Sequence, residues 1–135
     1  MAQELITLTI DDHEVTAPKG GTVLDAAKGA GLYIPTLCHH PKLESYGGCR
    51  MCIVEIEKMR GLPTSCTTPA AQDMVVRTKT PQLEELRRQV LEMVYTEHPH
   101  ACLVCWKKER CRTFEVCQRF PSVKKKRLKK LLHIK

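Results

Sequence analysis

Residues 33–76 read YIPTLCHHPKLESYGGCRMCIVEIEKMRGLPTSCTTPAAQDMVV, and their four cysteines decide the fold. Cys38 is followed after ten residues by Cys49, after two more by Cys52 and after a further thirteen by Cys66. Gly47-Gly48 stands directly before Cys49-Arg50-Met51-Cys52. Glycine permits positive φ and close backbone approach, so such a loop can wrap an anionic inorganic core and aim N–H groups at it. Downstream lies a second set of four: His98, three residues, Cys102, two residues, Cys105, five residues, Cys111. Iron–sulfur centres are held chiefly by Cys thiolates, with His an occasional substitute. Two complete ligand sets therefore point to two iron–sulfur centres.

Zinc is the alternative for each set. Structural zinc sites take four ligands, commonly from two closely spaced pairs. In the first set only Cys49 and Cys52 form such a pair, while Cys38 and Cys66 stand alone. One His with three Cys also describes a zinc site, so the second set by itself leaves both metals open. His100 competes with His98 for the ligand role but stands only one residue from Cys102, and His98 is preferred. A neutral imidazole in place of a thiolate makes a cluster less negative, and its other ring nitrogen calls for a hydrogen-bond acceptor.

Composition sets outer limits. A chain of 135 residues is one domain or two small ones. With 42% hydrophobic but only 4% aromatic residues, its core is small, and small cores usually need metal sites or cross-links. The opening MAQELITLTI lacks the basic start, apolar run and cleavage site of a signal peptide, and no apolar stretch reaches the length of a membrane span. The expected compartment is a reducing cytoplasm, where cysteines are metal ligands rather than disulfides. Net charge is +7, and residues 124–135 (KKKRLKKLLHIK) hold seven Lys and Arg with no Asp or Glu, leaving fifteen basic against fifteen acidic residues elsewhere. That tail reads first as a solvated terminus. Docking to an acidic partner or to the cytoplasmic face of a membrane complex comes second. Nucleic-acid binding comes last, since the remainder offers no basic face with stacking aromatics.

Patterning predicts an α+β chain. Residues 5–10 and 13–17 read as two strands joined at Asp11-Asp12. Thr22 is an N-cap with Asp25 in capping-box position, opening a short helix that stops at Gly31. A loop covers 35–52, residues 53–57 alternate as a strand, a further short strand ends near Cys66, and 74–78 suggest another. Strand–strand–helix–loop–strand–strand is the order of a β-grasp ferredoxin. Pro81 then opens a helix in which Leu83, Leu86, Val90, Met93 and Val94 recur at helical spacing, and Pro99 ends it. A second helix is predicted over 109–120. The boundaries expected are 1–79 for the β-grasp 2Fe–2S domain, 80–122 for a small helical His/Cys cluster-binding domain, and 123–135 for the tail.

The motifs Leu37-Cys38-x-His40-Pro41, Gly48-Cys49-Arg50-x-Cys52-x-Val54-Glu55 and Cys66-x-x-Pro69 resemble the 2Fe–2S domain that opens the large iron–sulfur subunit of NADH:quinone oxidoreductase, respiratory complex I. The same domain begins many iron-only hydrogenases, NAD-reducing hydrogenase subunits and NAD-linked formate dehydrogenases. Residues 80–111 resemble the adjoining domain of those proteins. The resemblance implies one 2Fe–2S cluster on Cys38, Cys49, Cys52 and Cys66, and one 4Fe–4S cluster on His98, Cys102, Cys105 and Cys111. It implies a non-catalytic electron-transfer subunit that takes single electrons from an NADH-oxidising flavoprotein or its clusters and passes them to another redox subunit. The runner-up is a zinc-stabilised binding protein without redox role.

Two departures stand out. The family usually carries a Gly pair between the second and third cysteines of the His-first motif, where this chain has Trp106-Lys107-Lys108-Glu109-Arg110. Cys117 has no family counterpart and reads as a buried helical residue, with a replacement ligand as the lesser alternative. Met51, Met59, Met74 and Met93 read as packing, Trp106 as packing or a water shield for the second centre, and His39 and His40 as loop residues that orient the first site. No molybdopterin, hydrogen-activating or flavin site is expected from these residues.

Overall fold

The computed structural model describes residues 4–98, 102 and 104–120. Expectations for Pro99, His100 and the tail lie outside the described residues. β1 (Leu5–Ile10) and β2 (His13–Pro18) pair antiparallel, from Leu5 opposite Pro18 to Ile10 opposite His13. Asp11 and Asp12 join them with φ of +48° and +66°, the two successive positive values of a type I′ turn, whose twist matches the strands it joins. Along β1, Ile6, Leu8 and Ile10 are buried, and along β2 so are Val15 and Ala17. That is the period-2 pattern of a sheet with one face on the core.

β4 (Val75–Arg77) lies parallel to β1, and β3 (Glu55–Ile56) runs antiparallel to β4, giving the order β2-β1-β4-β3. The architecture is α+β with a mixed sheet. Helix α1 (Val23–Gly29) opens on the predicted capping box: Thr22 Oγ1 accepts from the Asp25 N–H, and the Asp25 carboxylate accepts from the Thr22 N–H. Its Val23, Leu24, Ala26 and Ala27 pack with Leu8, Ile10, Val54 and Val76 into one core.

Three expected elements are shorter than their patterning predicts. The 53–57 strand is regular only at Glu55–Ile56, and Ile53 makes a single antiparallel bridge to Thr64. That bridge is all that forms of the strand expected near Cys66. The backbone here bends around thiols rather than running straight, so local alternation overstates strand length. The last helix, α3, spans Arg112–Arg119 after a separate 3-10 turn at Lys108–Arg110. Cys111 interrupts them with extended backbone (φ −88°, ψ 109°) and caps α3, its Sγ accepting from the Phe114 N–H at 3.4 Å.

Helix α2 (Pro81–Glu97) begins as expected, with Thr80 capping the Leu83 N–H and Pro81 in its first turn. Its buried face is another matter. Leu83, Arg87 and Leu91, one helical turn apart, are buried together with Glu92, whereas Met93 is 52% exposed. An apolar count overlooks Arg87, because a long stem whose three nitrogens each find an acceptor can enter a core. Trp106, at 87% exposed, does not pack in the core, and Met59 is exposed as well.

At the far end of β4 the Asp11 carboxylate accepts from the Thr78 N–H at 2.6 Å and from the Thr78 hydroxyl, pinning the hairpin turn to the sheet. Thr78 is buried. Asp11→Ala should therefore cost about 1–3 kcal/mol, the penalty for leaving a buried donor unpaired, read as a lower denaturant midpoint. Asp12→Gly, at an exposed left-handed position, should leave that midpoint unchanged or raise it.

Candidate metal centre

The loop from α1 to β3 and the segment 62–70 form the walls of the first site. Backbone bonds fix one to the other: Ser65 N–H donates to Cys52 O at 2.9 Å and Val54 N–H to Pro63 O at 3.0 Å. The first amides of α1 tie the segment down from the other side, Val23 N–H to Thr68 O at 2.9 Å and Leu24 N–H to Ser65 O at 3.0 Å. Gly47 is required where the walls meet. Its φ is +65°, and a Cβ there would lie 2.9 Å from Thr64 Oγ1. Arg50 also adopts a left-handed conformation, φ +57°, at the reversal between Cys49 and Cys52. His39 and His40 bond within the loop, to Ser45 Oγ at 3.0 Å and from the Lys42 N–H at 3.2 Å.

The four thiols meet as two pairs. Cys38 hydrogen-bonds Cys49, and Cys52 hydrogen-bonds Cys66. The second pair is buried, at 1% and 2% exposure, and the first is half-buried. Burial pushes the Cys66 thiol up to about 12, and the neighbouring Cys52, Cys38 and Cys49 add to the rise. Cys38 is raised as well, chiefly by burial. Cys49 goes the other way. Burial would raise it, but N–H donors from Met51, Cys38 and Leu37 outweigh that and hold it below the ordinary thiol value. Backbone amides are thus already aimed at sulfur, the arrangement that stabilises an anionic centre.

Mutual repulsion and burial disfavour four free thiolates in this space. A cationic metal core removes both penalties, since thiolate is the ligating form and metal binding releases its proton. The buried Ser65 Oγ has no partner among the described residues, which leaves a donor next to Cys66 for an acceptor such a core would carry. Among the described residues no three His, Cys, Asp or Glu side chains converge tightly enough for a single metal ion. The donor set fits a two-iron centre with two thiolates per iron.

The second set is less gathered. Tyr95 hydrogen-bonds Cys117 and Cys102, and Cys117 lies within electrostatic reach of Cys102 and Cys111. Cys105 is exposed, and the His98 ring stands edge-on to Tyr95 with centroids 6.4 Å apart. Two thiols thus meet at Tyr95, Cys102 and the unassigned Cys117, the latter half-buried rather than buried. Spacing arguments do not find Tyr95, because only folding brings α2 and α3 together.

The two sites share a wall. Met51, between two ligand-set cysteines, is fully buried with Leu91 of α2 and Val116 of α3, and Leu37, Cys49 and Cys117 pack against them. Arg87 of α2 reaches the same loop, donating to Met51 O at 3.2 Å, Ile53 O at 2.7 Å and Thr78 O at 2.7 Å. From α3, Arg112 donates to His39 O, and the Arg119 guanidinium lies 3.8 Å from the Tyr33 ring centroid.

A family model described as 2Fe-2S iron-sulfur cluster binding domain matches residues 3–81. Over 107 residues, 79% of this chain, the sequence is 45% identical to an NADH-quinone oxidoreductase subunit of Rhizobium meliloti (strain 1021), covering 12% of that protein. It is 41% identical over 122 residues, 86% of this chain, to NADP-reducing hydrogenase subunit HndD of Solidesulfovibrio fructosivorans, covering 21% of it. A crystal structure of NAD+-reducing NiFe-hydrogenase in the H2-reduced state superposes with a TM-score of 0.81 at 35% identity, covering 89% of this chain and 50% of that one. The chain thus spans a small part of the curated relatives it matches and half of the solved chain.

Cys66, Cys38 and Cys117 all sit above the usual thiol value, so the folded metal-free chain favours their protonated forms. A folded pKa raised above the unfolded one contributes stability that is present below the unfolded value and lost as pH rises through the folded value. For Cys66 that window runs from 9.0 to about 12. The depressed Cys49 acts in the opposite sense, but its contribution changes only below 9.0 and is constant across that window. Denaturant midpoints of metal-free protein should fall steadily with pH across that window, and Cys66→Ser should flatten the slope.

Proposed function

Because the chain belongs to the 2Fe-2S iron-sulfur cluster binding domain family, we propose that it is an electron-transfer module with two iron–sulfur centres and no catalytic residue. Cys38, Cys49, Cys52 and Cys66 hold the 2Fe–2S cluster on a β-grasp domain spanning residues 1–79. The observation that carries this reading is the arrangement of those thiols as two hydrogen-bonded pairs within a shell of amide donors. Two thiolates per iron is the ligation a 2Fe–2S centre needs, whereas a zinc site requires four donors on one point. The parallel β1–β4 pair, with α1 packed on the sheet, supports the β-grasp assignment.

His98, Cys102, Cys105 and Cys111 hold a 4Fe–4S cluster on the helical segment 80–122. Support comes from the ligand spacing, from Cys102 and Cys111 both lying within electrostatic reach of Cys117, and from relatives that cover this segment as well. The two centres pass single electrons between an NADH-oxidising flavoprotein partner and a further redox subunit, a reading supported by relatives named as subunits of NADH-quinone oxidoreductase and of pyridine-nucleotide-reducing hydrogenases. Among the described residues no helix is long and apolar enough to cross a membrane. Contact with an acidic partner or the cytoplasmic face of a membrane complex falls to residues 124–135.

Anaerobically purified protein should be brown and carry about six irons, the sum of one 2Fe–2S and one 4Fe–4S centre. Cys52→Ala should abolish the 2Fe–2S signal in electron paramagnetic resonance and spare the other. Loss of both together would show that the sites are not independent, and a colourless, zinc-loaded protein would establish the binding-protein alternative. His98→Cys should retain the 4Fe–4S signal at a lower potential, because a thiolate adds negative charge. If that variant and His98→Ala both leave the cluster's potential unchanged, His98 is not a ligand.

A further inference from the structure

Arg87 is 3% exposed, yet among the described residues it takes part in no salt bridge. Its three donating nitrogens are spent on backbone carbonyls, two of which, Met51 O and Ile53 O, flank Cys52 on either side. The third, Thr78 O, belongs to the end of the sheet. Burying a charge without a counter-ion is costly. Three carbonyl dipoles offset that cost in part, and the Glu84 and Asp11 carboxylates act on the guanidinium without bonding it, so positive charge is held in a buried wall with no directly paired counter-ion among the described residues. It lies against the backbone of Cys52, a member of the more buried thiol pair.

We propose that Arg87 is a positioning residue that sets the reduction potential of the first centre by favouring its reduced form, an inference that rests on the 2Fe–2S reading. The step is the uptake of one electron from a reduced donor. No bond forms or breaks, no proton is taken up, and the site becomes one unit more negative. A fixed positive charge in a poorly solvated wall stabilises that product more than the starting state, and salt screens it little. A surface arginine has no such hold. Arg77, exposed and 3.1 Å from Glu57, is the natural control.

Reciprocity follows. If the guanidinium favours the reduced centre, reduction must tighten the attachment of the guanidinium by the same factor. Arg87 belongs to α2, so the oxidation state of the first centre is felt in the helix that carries the chain on to His98. The reduced protein should therefore hold α2 against the loop more firmly than the oxidised protein does.

The test uses the full chain with its centres loaded. In redox titration followed by electron paramagnetic resonance, Arg87→Gln should lower the 2Fe–2S potential so that the ratio of reduced to oxidised centre at fixed ambient potential falls at least about tenfold, ~59 mV for a one-electron couple. Arg87→Lys should stay closer to wild type than Arg87→Gln, and Arg77→Gln should not move. Independently of any variant, amide hydrogen exchange over residues 83–91 of the wild-type protein should slow by a similar factor on reduction with dithionite. An Arg87→Gln protein that keeps its centre at the wild-type potential overturns the inference. So does α2 exchange that is identical in the two oxidation states, which decides the matter even where the Gln variant does not load. A wild-type protein with no 2Fe–2S signal overturns the cluster reading instead, which keeps the two failures apart.

Discussion

Four thiols are crowded into the walls of one loop, and everything else in the fold serves to keep them there. Left alone they resist ionisation: Cys66 is pushed up to about 12 by burial and by its neighbours. The backbone answers with N–H groups aimed at the outer pair, enough to pull Cys49 below its usual value. The chain therefore folds into a site that repels free thiolates yet is shaped to stabilise negative charge. A cationic core resolves that conflict, and metal ligation in such small folds is folding energy as well as function.

The sheet and α1 meet this constraint by holding the loop from behind. Segment 64–70 is bonded to the first amides of α1 and to the backbone at Cys52, so neither wall can move without opening the hydrophobic core. From the front, α2 and α3 close over the loop through Met51 and Arg87. A boundary at 79/80 divides the ligand sets by sequence, but the packing does not respect it: Met51 of the first site lies in the core of the helical segment.

Much of this is legible in the chain. Thr22 and Asp25 announce α1, Asp11-Asp12 the hairpin, and Thr80-Pro81 the start of α2, because each is a local interaction that needs no distant partner. The first set of cysteines stands out by its spacing, but only folding brings Cys66, on the segment 62–70, beside Cys52. What is not legible depends on residues far apart. Arg87 finds its acceptors 36 and 34 residues away, so its helical face looks polar and periodicity assigns the buried stripe to Met93 and its neighbours. The strand at 53–57 is cut short because Cys52 and Ser65, like Ile53 and Thr64, are bonded across the site, bending the backbone where alternation predicts a straight run.

The exposure of the thiols gives the first site two unlike sides, which spacing alone does not contain. Cys52 and Cys66 are sealed in, while Cys38 and Cys49 are half-open and share their loop with Leu43 and Tyr46, both at least 70% exposed. The first pair forms the side that is open to solvent. The sealed pair packs in the core of the sheet and α1, with Arg87 bonded on either side of Cys52, while Cys49 of the open pair and Met51 pack against α2 and α3. The site therefore has one solvent-facing side and one side continuous with packed protein. The buried arginine lies on the inner side, where salt screens its charge little.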